Sequence, residues 1–341
     1  MVGWNGFDIG GFLNGQPVGD GGIVSVSRIK DHMEMWWISP NGAVQDAYWY
    51  STQQPNWKTF ELAPPGSAHP SSGVAAVSRK SGHMEVWWVG PNGSIEGRYW
   101  YDDVNRWQSY QLAPDGSAVP GSSIYAQSRI PNVMNMWWIG PNGSIEGCYW
   151  VEGVPADQHP WKRYQIAGDG GASPKSVLTA LSRIPNSEEL WWQSPQGSVE
   201  GAYWYEDGTP WHRYQIAPAG SSAIGAGMKA RSRMPNIMNM WWIHPSGSVQ
   251  GSYLVADVTK GWIRYELAPQ GSASVKGGLT AVSRRPDTEE VWWIGPAGQL
   301  KDAYWYQDYN AWRFFDLAPA GSARIDSKLA SVSRITRSME C

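Results

Sequence analysis

Arginine follows serine at one recurring point of this chain, as Arg28, Arg79, Arg129, Arg183, Arg233 and Arg284, with a further copy at Arg334. Six residues after each of the first six stands an acid or an amide: Glu34, Glu85, Asn135, Glu189, Asn239 and Glu290. Two residues later comes a Trp-Trp doublet, whose first members are Trp36, Trp87, Trp137, Trp191, Trp241 and Trp292. A third aromatic group closes each set, ending in Tyr50, Tyr101, Tyr205 and Tyr306 in four of the copies. Planar donors and acceptors beside indole and phenol rings suit a pyranose, whose hydroxyls need directed hydrogen bonds and whose C–H faces pack on aromatic surfaces. The same groups also suit a purely structural role, with Arg paired to Glu across a hairpin and Trp filling the core. For at least one ring of each doublet, packing is the expected role. Where Arg faces Asn135 or Asn239, an ion-pair explanation weakens.

Catalytic chemistry finds little support. The histidines, His32, His69, His83, His159, His212 and His244, fall at different points of the repeat, and none has metal-ligand spacing. No nucleophile elbow, phosphate loop or dinucleotide fingerprint occurs. Carboxylates such as Asp102, Asp103, Glu206, Asp207 and Asp308 resemble the acids a glycosidase needs, but they recur around the repeat instead of converging on one bond. Solvated loop charge is their expected state. No cofactor or metal is expected.

The elements that hold these residues follow from the period. The doublets are separated by 51, 50, 54, 50 and 51 residues, a repeat of about fifty that marks a radial or stacked architecture. Within residues 74–118 four β-type runs can be read, VAAVSR, MEVWWV, IEGRYWY and WQSYQL, each ended by Gly, Pro, Asn or Asp. A Pro-x-Gly between the second and third runs supplies a residue able to take positive φ in a tight turn. Aromatic groups on both faces of a strand imply a sheet covered on both sides. The reading is an all-β fold, a β-propeller of four-stranded blades. The small first run lies nearest the axis and the bulkier fourth at the outer edge. The repeats run approximately 23–73, 74–123, 124–176, 177–227, 228–278 and 279–322, with 1–22 and 323–341 closing the ring. Six blades are favoured. The alternative is seven, the last built from both ends: Trp4 to Ile9 matches a fourth strand, and Ser331 to Arg334 with Met339 and Glu340 matches a first strand and the start of a second.

A net charge of -3 offers no basic footprint for nucleic acid or an anionic membrane. No apolar stretch approaches membrane-spanning length, and the opening residues lack the pattern of a signal peptide, so cytoplasmic synthesis is expected, with leaderless export as the alternative. Cys148 and Cys341 make no disulfide framework.

Taken in order, Ser-Arg, Met-Glu/Asn-x-Trp-Trp, Pro-x-Gly-Ser-Ile/Val-Glu-Gly-x-Tyr-Trp-Tyr and Trp-x-x-Tyr-x-Leu-Ala-Pro-x-Gly-Ser resemble the unit of the tandem-repeat β-propeller lectins of mushrooms and Photorhabdus-type bacteria. The likeness covers essentially the whole chain. It implies a non-enzymatic lectin with several sites between blades, binding glycans that end in N-acetylglucosamine or fucose. The mushroom N-acetylglucosamine binders are the nearest in pattern, with fucose or galactose specificity as the alternative. A protein-interaction scaffold is the competing class, but it would vary its rim residues from blade to blade. A homodimer would multiply the sites. Blade five departs from the pattern with Leu254 and Val255 in place of Trp-Tyr, which predicts a weaker site there.

Overall fold

The computed structural model describes residues 18–53, 57–154, 160–309, 311–333 and 339–341. Six antiparallel sheets follow one another, each made of four strands adjacent in chain order. They form the blades of a six-bladed β-propeller, at residues 23–63, 74–113, 124–167, 179–217, 228–268 and 279–318. In blade two the strands are Val74–Val77, His83–Val89, Ile95–Tyr101 and Gln108–Ala113. The turn between its second and third strands places Gly93 at φ 78°, and the equivalent Gly42, Gly143, Gly197, Gly247 and Gly298 are also left-handed. A side chain at these points would be strained, which explains why Pro-x-Gly survives while its middle residue varies.

First strands of successive blades line an axial channel. The C-terminal segment stands beside blade six in the manner of one more first strand. Gly22 donates its backbone N–H to Ser72 and Gly73 to Ser122, and Gly278 donates likewise to Ser327 at 2.8 Å. Val332 pairs with Glu340 as Val26 pairs with Glu34 and Val77 with Glu85. Arg324 reaches Asp20, just ahead of blade one, at 3.1 Å. The proposed partner segment Trp4 to Ile9, and Arg334, lie outside the described residues.

Both indoles of every doublet are buried, not one alone. Neighbouring strand residues face opposite sides, so Trp87 packs toward blade three and Trp88 toward blade one. In blades one to five the first indole meets the opening Trp of the next blade's fourth strand edge to face. The pairs are Trp36–Trp107, Trp87–Trp161, Trp137–Trp211, Trp191–Trp262 and Trp241–Trp312, with interplanar angles from 85° to 90°. Such contacts contribute about 1 kcal/mol each beyond the area they bury. In blades two to six the second indole donates instead to the crossover from the preceding blade, as Trp88 does to Ser67 O at 2.9 Å.

The first indole also needs an acceptor, and two solutions occur. Trp87, Trp191 and Trp241 donate to the fourth-strand hydroxyls of Tyr110, Tyr214 and Tyr265, at 2.6, 2.8 and 2.8 Å. The intervening third-strand residue is then glycine, because a Cβ on Gly97 would lie 2.8 Å from the Tyr110 ring and 2.9 Å from Trp87. In blades one and six that residue is Asp46 or Asp302, which accepts the indole N–H itself. The facing ring is then Phe60 or Phe315, which has no hydroxyl. Gly97→Ala is therefore expected to cost about 2 kcal/mol in urea unfolding. Gly97→Asp combined with Tyr110→Phe should cost less than Gly97→Asp alone, and equal losses would refute the exchange.

Candidate functional site

The recurring arginine ends the first strand and reaches across the gap to the next blade. Arg79, Arg129, Arg183 and Arg233 donate to the backbone carbonyls of Pro131, Pro185, Pro235 and Pro286, at 3.1, 2.9, 3.0 and 2.8 Å. In the same gap Arg28 pairs with Asp102 at 2.7 Å, Arg79 with Glu152 at 3.3 Å and Arg129 with Glu206 at 3.0 Å. Asp102 and Glu206 thus hold arginines across the gap, although their other side is solvated. The guanidinium planes are covered by rings. Arg79 lies 5.4 Å from the centroid of its own Tyr101 and 4.8 Å from Trp150 of the next blade. Arg129 and Arg233 lie similarly over Trp204 and Trp305. Little of each arginine reaches solvent: 2 % of the Arg79 side chain and 15 % of Arg233. Their first role is to clamp blade to blade.

The acid or amide of the second strand lies behind this clamp. Glu34, Glu85, Asn135, Glu189, Asn239 and Glu290 are all buried. Tyr101 donates to Glu85 at 2.6 Å and Tyr214 to Glu189 at 3.0 Å, while Arg28, Arg183 and Arg284 donate to Tyr50, Tyr205 and Tyr306. Blades three and five carry Asn, and the expectation that their arginines lack a carboxylate partner is corrected here. Glu188 and Glu289 project from the next blade into those two gaps, 3.8 Å from Arg129 Nε and 3.6 Å from Arg233 Nε. Asn239 donates to Glu289 at 2.6 Å. The Asn blades also have Val151 and Val255 where the Glu blades have Tyr, and the blade after a Glu blade has Met84, Met134 or Met238 where Glu188 and Glu289 stand. Each gap between described blades therefore holds one carboxylate at this depth, supplied from one wall or the other.

Burial dominates the electrostatics. It pushes Glu85, Glu189 and Glu290 up to about 7 despite their neighbouring arginines and phenols, and Glu289 to about 8. Glu188 is raised well above the usual carboxylate range for the same reason. In blade six burial, reinforced by the charge of Glu290, raises Asp302 to about 8.

What a ligand can touch differs from the sequence expectation. Trp36, Trp87, Trp137, Trp191, Trp241 and Trp292 are 0 % exposed, so none offers a ring face to a sugar. The six acids and amides are likewise shielded. Open surface comes instead from half-buried aromatic groups at the mouth of each gap. From one blade come Tyr48, Tyr99, Tyr203 or Tyr253, or the more exposed Tyr149, and from the next blade the fourth-strand Trp107, Trp161, Trp262, Trp312 or Trp211. Register puts Tyr48 and Tyr50 on the same face as Glu34. Tyr50, Tyr101, Tyr205 and Tyr306 are themselves half-buried beside their arginines. The fourth-strand Trp was legible as a rim residue, but only packing shows that it serves the gap before its own blade. Leu254 and Val255, expected to weaken one site, face opposite sides of blade five. Leu254 packs with Trp191 and Trp262 in the gap between blades four and five, and Val255 belongs to the gap between blades five and six.

A second kind of cleft opens on the opposite rim. Between Gly66–Ser67 and blade two lies a cavity of ≈ 520 Å³ lined by Glu96, Arg98, Gln111 and Asp115. It is rich in charge, but its indole, Trp88, is only 2 % exposed. Among the described residues no group of three or more His, Cys, Asp or Glu side chains could hold a metal ion. Cys148 is a buried free thiol.

No family model matches the chain, and no curated protein sequence does. Solved structures do. The BP39L lectin from Burkholderia pseudomallei superposes with a TM-score of 0.82 at 17 % identity, over 93 % of this chain and 90 % of that one. The SapL1 lectin, solved with α-methyl fucoside, gives 0.60 at 16 %, over 90 % and 99 %. The Aleuria aurantia lectin, described as a six-bladed β-propeller with a novel fucose recognition mode, gives 0.58 at 15 %, over 88 % and 96 %. At these identities the likeness is one of fold, and the chain shares the propeller architecture of these lectins.

Proposed function

We propose that this protein is a multivalent carbohydrate-binding protein that takes terminal monosaccharides at the mouths of the gaps between adjacent blades, on the arginine rim. The observation that carries the reading is the repetition of one half-open aromatic notch, Tyr from one wall and Trp from the next, beside a clamped guanidinium. Such a notch offers a face for sugar C–H groups and an edge for hydroxyls. The repetition favours binding over catalysis, since an enzyme needs one convergent acid and base. One shallow site binds weakly, but several on one rigid ring engage a glycan-coated surface together. N-acetylglucosamine is the sugar that the resemblance to the mushroom propeller lectins implies. Fucose fits better with the structural neighbours, two of which are described with fucose or a fucoside, and it is the sugar proposed.

A glycan array followed by elution with free monosaccharides tests this. Retention on fucosylated glycans, released by L-fucose in preference to N-acetylglucosamine or galactose, is the expected result. Trp107→Ala with Trp161→Ala should weaken retention about tenfold or more, because avidity multiplies the loss at each site. Release by N-acetylglucosamine alone would overturn the choice of sugar. Loss on Arg98→Met, with none on the tryptophan changes, would move the sites to the opposite rim. No retention on any glycan would refute the function.

A further inference from the structure

We propose that the axial channel binds a multiply charged oxyanion such as inorganic pyrophosphate. The channel encloses ≈ 390 Å³ between the first strands, and its lining includes Lys175, Lys229, Arg231 and Lys328. The only acid in that lining, among the described residues, is Asp20, and it is held by Arg324 at 3.1 Å.

The charges are not a by-product of the repeat. At the position of Lys229, facing the first indole of the doublet, the other blades carry Val24, Ala75, Tyr125, Thr179 and Thr280. At that of Arg231 four of them carry Val26, Val77, Leu181 and Val282. Two cations on alternate residues of one strand therefore replace apolar or neutral groups in the most crowded part of the fold.

Their partners do not account for them. Lys229 donates to Tyr125 across the channel at 3.3 Å and lies 5.2 Å from its ring centroid. Burial would raise the Tyr125 phenol, yet the charges of Lys229 and Arg231, with hydrogen bonds from Lys229 and Thr179, together lower it, in keeping with a positive field. The buried Nε of Arg231 has no hydrogen-bond partner. The acid behind it, Glu289, feels its charge but is shared with Asn239 and Arg233. Like charges confined in a channel of low dielectric repel one another, and an oxyanion relieves that repulsion while accepting their N–H groups. Because the cations run from the mouth, at Lys175 and Lys328, to Arg231 within, an anion with two phosphoryl groups fits better than one.

Isothermal titration of the full chain with pyrophosphate at constant ionic strength tests the site. One saturable event is expected, with orthophosphate at least about tenfold weaker. Lys229→Met and Arg231→Met should each weaken pyrophosphate about tenfold, while Lys58→Met on the outer strand of blade one leaves it unchanged. Circular dichroism checks that each variant is folded, and Lys229→Met stands in if Arg231→Met is not. Pyrophosphate should also raise the melting temperature of the wild type. No saturable heat, or equal affinity in wild type and Lys229→Met, would overturn the proposal. Because the channel mouth lies on the rim opposite the arginines, glycan retention should be the same with and without pyrophosphate.

Discussion

Glu289→Met is expected to destabilise the protein by about 3 kcal/mol, because it leaves Arg233 Nε and the Asn239 amide facing an apolar side chain in a buried gap. Adding Asn239→Glu should recover most of that loss. The double variant rebuilds the arrangement between blades four and five, where Glu189 stands on the near wall and Met238 on the far one. Asn239→Glu alone should also destabilise, since it sets a second carboxyl against Glu289, now 2.6 Å from the amide. Urea unfolding of the four species gives the coupling, expected at about 2 kcal/mol in favour of the double variant. Additive losses would show that the two walls do not exchange one carboxylate.

Stability should fall as the pH rises from 5 to 8.5. Glu85, Glu189 and Glu290 titrate in the folded protein near about 7, and Glu289 and Asp302 near about 8, against roughly 4 for such groups in an unfolded chain. Between those limits the folded state holds more protons than the unfolded one, so each step up in pH favours unfolding. The contribution of these acids is complete below about pH 4 and lost as the pH passes through about 7 to 8. Allowing for relaxation of the fold, each group supplies on the order of 1 kcal/mol, and together they should lower the urea midpoint visibly. Asp302→Asn keeps an acceptor for the Trp292 indole, 2.8 Å away, without the titrating proton. It should flatten the slope and stabilise the protein at pH 8.5. A midpoint that climbs between pH 5 and 8.5 would contradict the assignment of these carboxyls as buried and protonated.

The period of the Trp-Trp doublets, the four runs between them and the Pro-x-Gly turns were enough to predict blades and their strand order and to favour six over seven, and the structure shows six four-stranded sheets. These features are local: a strand alternates its faces, and a left-handed turn position wants glycine whatever surrounds it. The recurrence of Arg, an acid or amide, and aromatic groups was equally visible, and so was the rim on which they gather. Partner choice was not. Arg129 and Arg233 looked short of a carboxylate because the sequence was read one unit at a time, whereas Glu188 and Glu289 sit more than fifty residues away on the facing wall. Exposure was hidden for the same reason. Trp87 and Trp107 are both indoles of one unit, yet the first is sealed by the next blade and the second half-opens toward the previous one. Sequence alone determined which side of its own strand each residue takes. Only the packing of blade on blade decided which residues meet across a gap, and which keep a face to solvent, because those contacts join segments that no local rule of spacing connects.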